Sequence, residues 1–370
     1  MVKNFPRILF CPLDWGIGHA TRCIPVIRHL LQKKYEVVIA ADGRPLDFLR
    51  EYFPNLEFIR LPGFRVSYPA GNKMAMKMAT QSPVILCEIY KEHRRIKKII
   101  RDYQVDVVIS DNRFGIWSKK AWSVYMTHQL LIKAPETMKW AEPWLYKAHQ
   151  WFISHYDECW VPDIPGGTNL SGDLSHHHPL PKNGHFIGIL SRFENAIRPI
   201  KPADDNKAPE LLIMLSGPEP QRTIFENFIL NDLALHPQKN VIILQGIPGK
   251  LHQFSPLPGV VIFNHLPDKE IVEFIGRARV IICRPGYSTI MDLVTLGRNA
   301  ILVPTPGQTE QEYLARHLST DGLFYWMEQE RFRVSLALQA GQKLPKSIDF
   351  QNNRSLLETR INGFHLKIQT

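Results

Sequence analysis

Residues 7–41 read RILFCPLDWGIGHATRCIPVIRHLLQKKYEVVIAA. Arg7–Leu13 is an apolar run, Gly16 and Gly18 punctuate the turn after it, and Ala20–Lys33 carries a helical pattern. Tyr35–Ala41 is a second apolar run, closed by Asp42-Gly43. Strand, glycine turn, helix and strand in that order make a βαβ unit, and runs without alternation indicate parallel strands buried on both faces. Further along, Leu56–Leu61, Val105–Ser110 and Glu158–Pro162 read as strands. Ile85, Ile89, Ile96 and Ile100 recur at helical spacing across Val84–Tyr103.

The second half repeats the alternation. Strands are expected at Glu210–Leu215, Asn240–Gln245, Val260–Phe263, Val280–Cys283 and Ala300–Pro304. Helices are expected across Pro220–Leu235, Asp268–Gly276, Tyr287–Thr295 and Thr309–Leu318. Such a pattern predicts an α/β chain with parallel sheets covered by helices on both faces. At about 100–200 residues per domain, 370 residues accommodate two domains. Pro199, Pro202 and Pro209 with the charged tract Lys201–Lys207 give Ser191–Pro209 a linker's composition. The expected plan is a Rossmann-like domain at 1–190, a linker at 191–209 and a second Rossmann-like domain at 210–330. The tail 331–370 would cross back onto the first domain. Two such domains facing each other leave a cleft, and ligands bind beyond the strand carboxyl ends.

Composition narrows the function classes. Hydrophobic residues at 44% and charged residues at 22% exclude a disordered chain. The net charge of +10 favours an anionic partner: nucleic acid, a phosphorylated small molecule or an acidic membrane surface. Lys91, Arg94, Arg95, Lys97, Lys98 and Arg101 line one helix face. That face is either solvated or rests on anionic lipid; no aromatic residues interleave it, which argues against nucleic acid. The five cysteines contain no C-x-x-C, so neither a disulfide framework nor a zinc ribbon is expected. Pro12 and Asp14 interrupt the first apolar run, and no window approaches 18 uncharged apolar residues. A cytoplasmic protein without signal peptide or membrane span is expected, with peripheral contact at the inner membrane face as an option. His176-His177-His178 reads as a solvated loop, because adjacent side chains point in different directions. Met74, Met76 and Met78, between Lys73 and Lys77, read as a loop whose thioethers are either core or an adaptable hydrophobic surface.

Four segments carry chemistry. Cys283-Arg-Pro-Gly-Tyr-Ser-Thr-Ile-Met-Asp292 ends a strand, turns at Gly286 and starts a helix at Tyr287, Ser288 and Thr289. The N–H groups and positive dipole at a helix start suit phosphate. Asp292 sits one turn behind Ser288, where it can accept from a ribose diol or simply stand solvated on a capped helix. Pro304-Thr-Pro-Gly307 leads to Gln311 and Glu312, side chains suited to sugar hydroxyls. Asp14-Trp-Gly-Ile-Gly-His-Ala-Thr-Arg22 sets His19 at the mouth of a helix. Leu215-Ser-Gly-Pro-Glu-Pro-Gln-Arg222 offers the Ser216 and Gly217 N–H groups and the Arg222 fork to phosphate, with Pro218 and Pro220 removing two donors. Asp111-Asn112-Arg113 follows a strand end, placed either for substrate contact or for capping. His265-Leu266 follows another strand and could border a base through its backbone.

Together these segments resemble the GT-B glycosyltransferases, most closely the MurG-like family. The match covers the donor signature from Cys283 to Ala315 closely and the two-domain plan over most of the chain. The resemblance implies that the Gly286–Thr289 helix start holds the donor diphosphate and Asp292 the ribose. It also implies that Gln311 and Glu312 occupy the family's sugar-binding Gln-Gln pair; Glu312 departs from it, and Asp292 is shorter than the usual Glu. The loop at Ser216, Gly217 and Arg222 would close on the phosphates, and His265 and Leu266 would border the uracil. Gly16, Gly18, Asp111 and Arg113 would face the acceptor, with His19 as general base. The G-I-G-H-A-T-R loop is also similar to that of the UDP-sugar hydrolases of pseudaminic acid synthesis. The expected activity is metal-independent inverting transfer from a nucleotide diphosphate sugar, with a UDP-sugar the expected donor, to an unidentified acceptor, with no cofactor. Hydrolysis by water and non-catalytic nucleotide-sugar binding are the alternatives.

Overall fold

The structure, a computed structural model, describes residues 6–63, 74–196 and 208–364, apart from 218, 248, 250, 346, 349 and 351–353, together with Lys367. Of residues 74–83 it describes the backbone alone. The core of the linker tract (197–207), Pro218 and the side chains of Met74, Met76 and Met78 lie outside the described residues. The chain forms two compact units.

The first unit is built on seven parallel strands in the order β3-β2-β1-β4-β5-β6-β7. These are β1 (Arg7–Pro12), β2 (Glu36–Ala41), β3 (Glu57–Arg60), β4 (Val107–Asp111), β5 (Trp122–Met126), β6 (Glu158–Val161) and β7 (Gly184–Phe186). Its helices are α1 (Ile17–Gln32), α2 (Gly43–Tyr52), α3 (Met74–Asp102), α4 (Glu142–Ile153) and the single turn α5 (Asp173–His176). Ile8, Leu9, Phe10 and Cys11 are fully buried, as are Val107, Val108 and Ile109 beside them. A strand covered by helices on both faces has no solvent side, so it shows no alternation. Strand order reverses between β1 and β4, where Pro12 lies opposite Asp111. In open α/β sheets that reversal, at the carboxyl edge, is where ligands bind.

The second unit repeats the design, with order β10-β11-β9-β8-β12-β13-β14. Its strands are β8 (Leu211–Met214), β9 (Val241–Leu244), β10 (Gln253–Phe254), β11 (Val260–Phe263), β12 (Val280–Cys283), β13 (Ile301–Leu302) and β14 (Tyr325–Trp326). Only β10 runs antiparallel to its neighbour. Helices α6 (Gln221–Leu235), α7 (Asp268–Arg277), α8 (Tyr287–Thr295), α9 (Thr309–Thr320) and α10 (Val334–Gly341) cover it. The order reverses between β8 and β12, so the loops after these two strands flank the second switch point.

The segment Met74–Met78, expected as a loop, is the start of α3. The second unit continues past residue 330 through α10, which packs on its sheet. The final helix α11 (Ser355–Asn362) returns to the first unit, where the Tyr35 hydroxyl donates to the Ile361 carbonyl at 3.2 Å. Phe364 stacks on buried Trp160 with centroids 5.6 Å apart, and Lys367 pairs with Glu158.

A buried histidine makes the first unit acid-sensitive. His149 on α4 lies under β5, with Nε2 3.2 Å from the Tyr125 hydroxyl. Burial pushes its pKa down to about 4, from 6.5. Below 6.5 the unfolded chain takes up a proton that the folded chain refuses, so stability is complete above pH 6.5 and falls toward pH 4. Between pH 7 and 4.5 this one group removes about 2–3 kcal/mol. His149→Leu should flatten that part of the stability–pH curve in urea titrations; an unchanged slope would assign the acid sensitivity elsewhere.

Candidate active site

At the first switch point, β1 passes through Leu13–Trp15 into α1, with Gly16 at the cap position and φ of 131°. No atom lies within 4 Å of where its Cβ would be, so glycine is required here by backbone conformation and not by space. This turn brings His19 into the first turn of α1, its side chain 17% exposed. His19 Nδ1 lies 2.9 Å from Asp111 Oδ2 at the end of β4. Arg22, one turn along α1, places Nε 3.0 Å from both Asp111 oxygens, and its Nη2 also contacts Oδ1.

Burial opposes ionisation of Asp111, but Arg22 and His19 outweigh it and hold the carboxyl at about 2. A carboxylate only accepts, so in the neutral ring the His19 proton belongs on Nδ1 and the lone pair on Nε2. Arg22 Nη2 is 2.9 Å from the same Nδ1. Since that nitrogen already donates to Asp111, Arg22 acts on His19 as a charge and not as a hydrogen-bond donor. On its other side Arg22 Nη1 is 3.0 Å from His128 Nδ1. Guanidinium has no acceptor, so His128 Nδ1 accepts there.

Two expected acceptor contacts are corrected. Asp111 is fully enclosed, with its oxygens spent on His19 and Arg22, so it orients the His19 ring and is not open to an acceptor. Arg113 is buried: Nε and Nη2 donate to Glu92 at 3.1 and 2.8 Å, Nη1 to the Leu61 carbonyl at 3.0 Å, and Nη2 to the Pro62 carbonyl at 3.1 Å. It ties α3 and the loop after β3 to the end of β4. Gly16 and Gly18 remain beside His19, and Gly18 is exposed.

At the second switch point, Gly286 caps α8, and no side chain caps the helix. A Cβ on Gly286 would meet only Thr289 Oγ1, at 3.8 Å, so the approach to the helix start is open within this unit. Tyr287 is buried, whereas Ser288 and Thr289 are half-buried. Asp292 is buried one turn further in. Gln311 Oε1 accepts from the Thr305 N–H at 2.8 Å and Glu312 Oε1 from the Gly307 N–H at 2.8 Å. Both therefore clasp the loop after β13, leaving one further oxygen on Glu312 and the amide nitrogen on Gln311. Opposite, Ser216 is half-buried and Gly217, at φ 101°, is exposed with nothing near its Cβ position. His265 is half-buried, and the Leu266 side chain belongs to the core.

Arg222 is a further correction. Its guanidinium pairs with Glu219 and with Glu226 at 2.7 Å and donates to Thr223, so its charge is met within the protein. Glu226 in turn accepts from Gln245 at 2.5 Å. The fork expected on phosphate instead braces the loop after β8. Arg22 and Arg284 were legible only as letters in their motifs. The i, i+3 spacing of His19 and Arg22 on one helix was the available signal for the first.

Residues 6–132 match the glycosyl transferase family 1 model and residues 224–360 the glycosyltransferase family 28 C-terminal domain. An uncharacterized glycosyltransferase of Methanosarcina acetivorans is 25% identical over 85% of this chain and 82% of its own length. The UDP-N-acetylglucosamine–N-acetylmuramyl-(pentapeptide) pyrophosphoryl-undecaprenol N-acetylglucosamine transferase of Buchnera aphidicola is 24% identical over 91% and 88%. Acinetobacter baumannii MurG shares the fold with a TM-score of 0.52 at 13% identity, covering 98% of this chain and 95% of that one. With a parallel α/β sheet in each unit and a family domain matched in each, the chain is a GT-B glycosyltransferase of the MurG-like family.

Proposed function

We propose that the enzyme transfers a sugar from a UDP-sugar to an acceptor hydroxyl with inversion at C1 and without a metal ion. The His19–Asp111 pair at the first switch point carries this reading. The acceptor O–H gives its proton to His19 Nε2 while its oxygen attacks C1 and the bond from C1 to the diphosphate breaks. Asp111 stabilises the imidazolium that forms. One base and one displacement require no protein nucleophile, hence inversion. The leaving diphosphate is met by the start of α8 and the Ser216 and Gly217 N–H groups; preorganised donors of this kind are worth about 3–4 kcal/mol each. Asp292 accepts from the ribose, and Gln311 and Glu312 face the sugar.

The same reading places the enzyme at the cytoplasmic membrane face. Tyr90 and Leu86 on α3 and Trp144 and Trp151 on α4 are exposed. Arg94, Arg95, Lys97 and Lys98 continue the α3 surface. Exposed aromatics beside lysine and arginine suit an anionic lipid interface. No helix among the described residues is long and apolar enough to cross a membrane.

One assay tests these assignments together. The enzyme is incubated with UDP-, GDP- and dTDP-sugars and anionic vesicles, with and without vesicle lipid extract as acceptor, in EDTA. A UDP-sugar should raise the melting midpoint most, Asp292→Ala should abolish that rise, and UDP release should require acceptor. Free sugar formed at enzymatic rates without acceptor would instead favour the hydrolase, as the G-I-G-H-A-T-R loop allows. Equal midpoints with every donor would reject the donor assignment, and protein left in the supernatant would reject the membrane contact.

A further inference from the structure

Arg284 is the last residue before the Pro285-Gly286 turn and stands at the carboxyl end of β12, at the second switch point. It is 1% exposed. Nη1 donates to the Val303 and Pro304 carbonyls, each at 2.9 Å, and Nη2 to Gln329 Oε1 at 2.5 Å. The guanidinium lies over the Phe225 ring at 4.1 Å. Every one of these partners is neutral. Among the described residues no carboxylate pairs with Arg284, in contrast to Arg222 nearby, which has two.

A buried guanidinium without a counter-ion is costly, because nothing replaces the hydration it loses. Burial pulls its pKa down to about 9, which still leaves it charged at neutral pH. Carbonyls and a ring face offset part of that cost. An anion arriving nearby would offset more of it. The Arg284 carbonyl accepts from the Gly286 N–H at 2.8 Å, so its backbone shapes the turn into α8, while its guanidinium holds the Val303 and Pro304 carbonyls after β13.

We propose that Arg284 is the buried counter-charge of the donor diphosphate, acting through space from beneath the α8 start and positioning the loop that carries Gln311 and Glu312. This rests on the donor assignment above. It adds one charged residue to the N–H donors that prefer a nucleoside diphosphate over the bare nucleoside. It also gives the leaving group a fixed positive charge where negative charge builds up.

Calorimetric titration of the full chain with UDP and with uridine tests it, on the wild type and on Arg284→Gln and Arg284→Lys. Wild type should prefer UDP strongly. Arg284→Gln should cut the UDP-over-uridine preference at least about tenfold while leaving uridine affinity nearly unchanged, and Arg284→Lys should keep most of it. A preference unchanged in Arg284→Gln overturns the proposal, since loss of packing alone would weaken both ligands alike. A wild type without any preference for UDP would overturn the donor assignment itself. Should Arg284→Gln fail to fold, a wild-type crystal with UDP decides. A phosphate oxygen closer to the guanidinium than about 8 Å, one screening length at physiological salt, supports the proposal, and a greater distance overturns it.

Discussion

His19→Ala should lower the turnover of sugar transfer by about 10²–10⁴-fold while leaving the affinity for UDP essentially unchanged. The size follows from what the side chain does: it holds a proton acceptor, Nε2, in place by bonding Nδ1 to a buried carboxylate. Removing the imidazole leaves water as the only base, and the acceptor hydroxyl must then attack while still protonated. Nucleotide affinity should not change, because the residues assigned to the nucleotide all belong to the second unit. Folding should not change much either. The His19 side chain is partly exposed in the first turn of a helix, and alanine is the best helix former. Turnover at saturating donor and acceptor, measured beside UDP titration, separates the cases. A variant that binds UDP and turns over at the wild-type rate would remove His19 from the chemistry. A variant that loses both would show that the residue supports the fold of its loop instead.

How much of this was readable from letters depended on how local each interaction is. Strands β1, β2, β4 and β12 announce themselves because burial on both faces demands unbroken apolar runs. The α8 boundaries follow from Pro285-Gly286 ahead of Tyr287 and from Gly297 behind. Strand β5 escaped notice because Ser123 and Tyr125 interrupt its run, although both are buried with their hydroxyls bonded to neighbours. Strands β7, β10 and β14 have two or three residues each, and an edge strand that short is defined by its neighbour's hydrogen bonds and not by its own composition. The site shows the same division. The place of His19 at the mouth of a helix was legible from its loop, since the glycine turn and the helix start are contiguous with it. Asp111, Arg113 and Arg222 could not be resolved, because a charged residue at a strand end reads alike whether it faces a substrate or another side chain. Their partners lie far off in sequence, as with Arg22 and Asp111, or on the same helix, as with Arg222 and Glu226. Only pairing decides between a ligand contact and a brace.

Arg22→Met should cost about 3–5 kcal/mol of stability and make the first unit less stable in acid. The stability loss comes from Asp111, not from the arginine. Its carboxylate is fully buried and keeps its low pKa of about 2 against burial because Arg22 and His19 face it. Without Arg22 the carboxylate has one cationic partner left, and that partner must be protonated to serve. The same loss acts on acid stability with a definite sign. Asp111, held at about 2 instead of its ordinary 3.8, contributes stability that is complete above pH 3.8 and lost as pH falls toward 2, and without Arg22 that contribution shrinks. Arg22→Lys keeps a charge but loses the two-oxygen contact and should lie between. Circular dichroism melts check this: at about 2–4 °C per kcal/mol for a unit of this size, the methionine variant should melt roughly 6–20 °C lower. An Arg22→Met protein whose midpoint matches the wild type across the acid range would show that Arg22 does not hold Asp111 ionised.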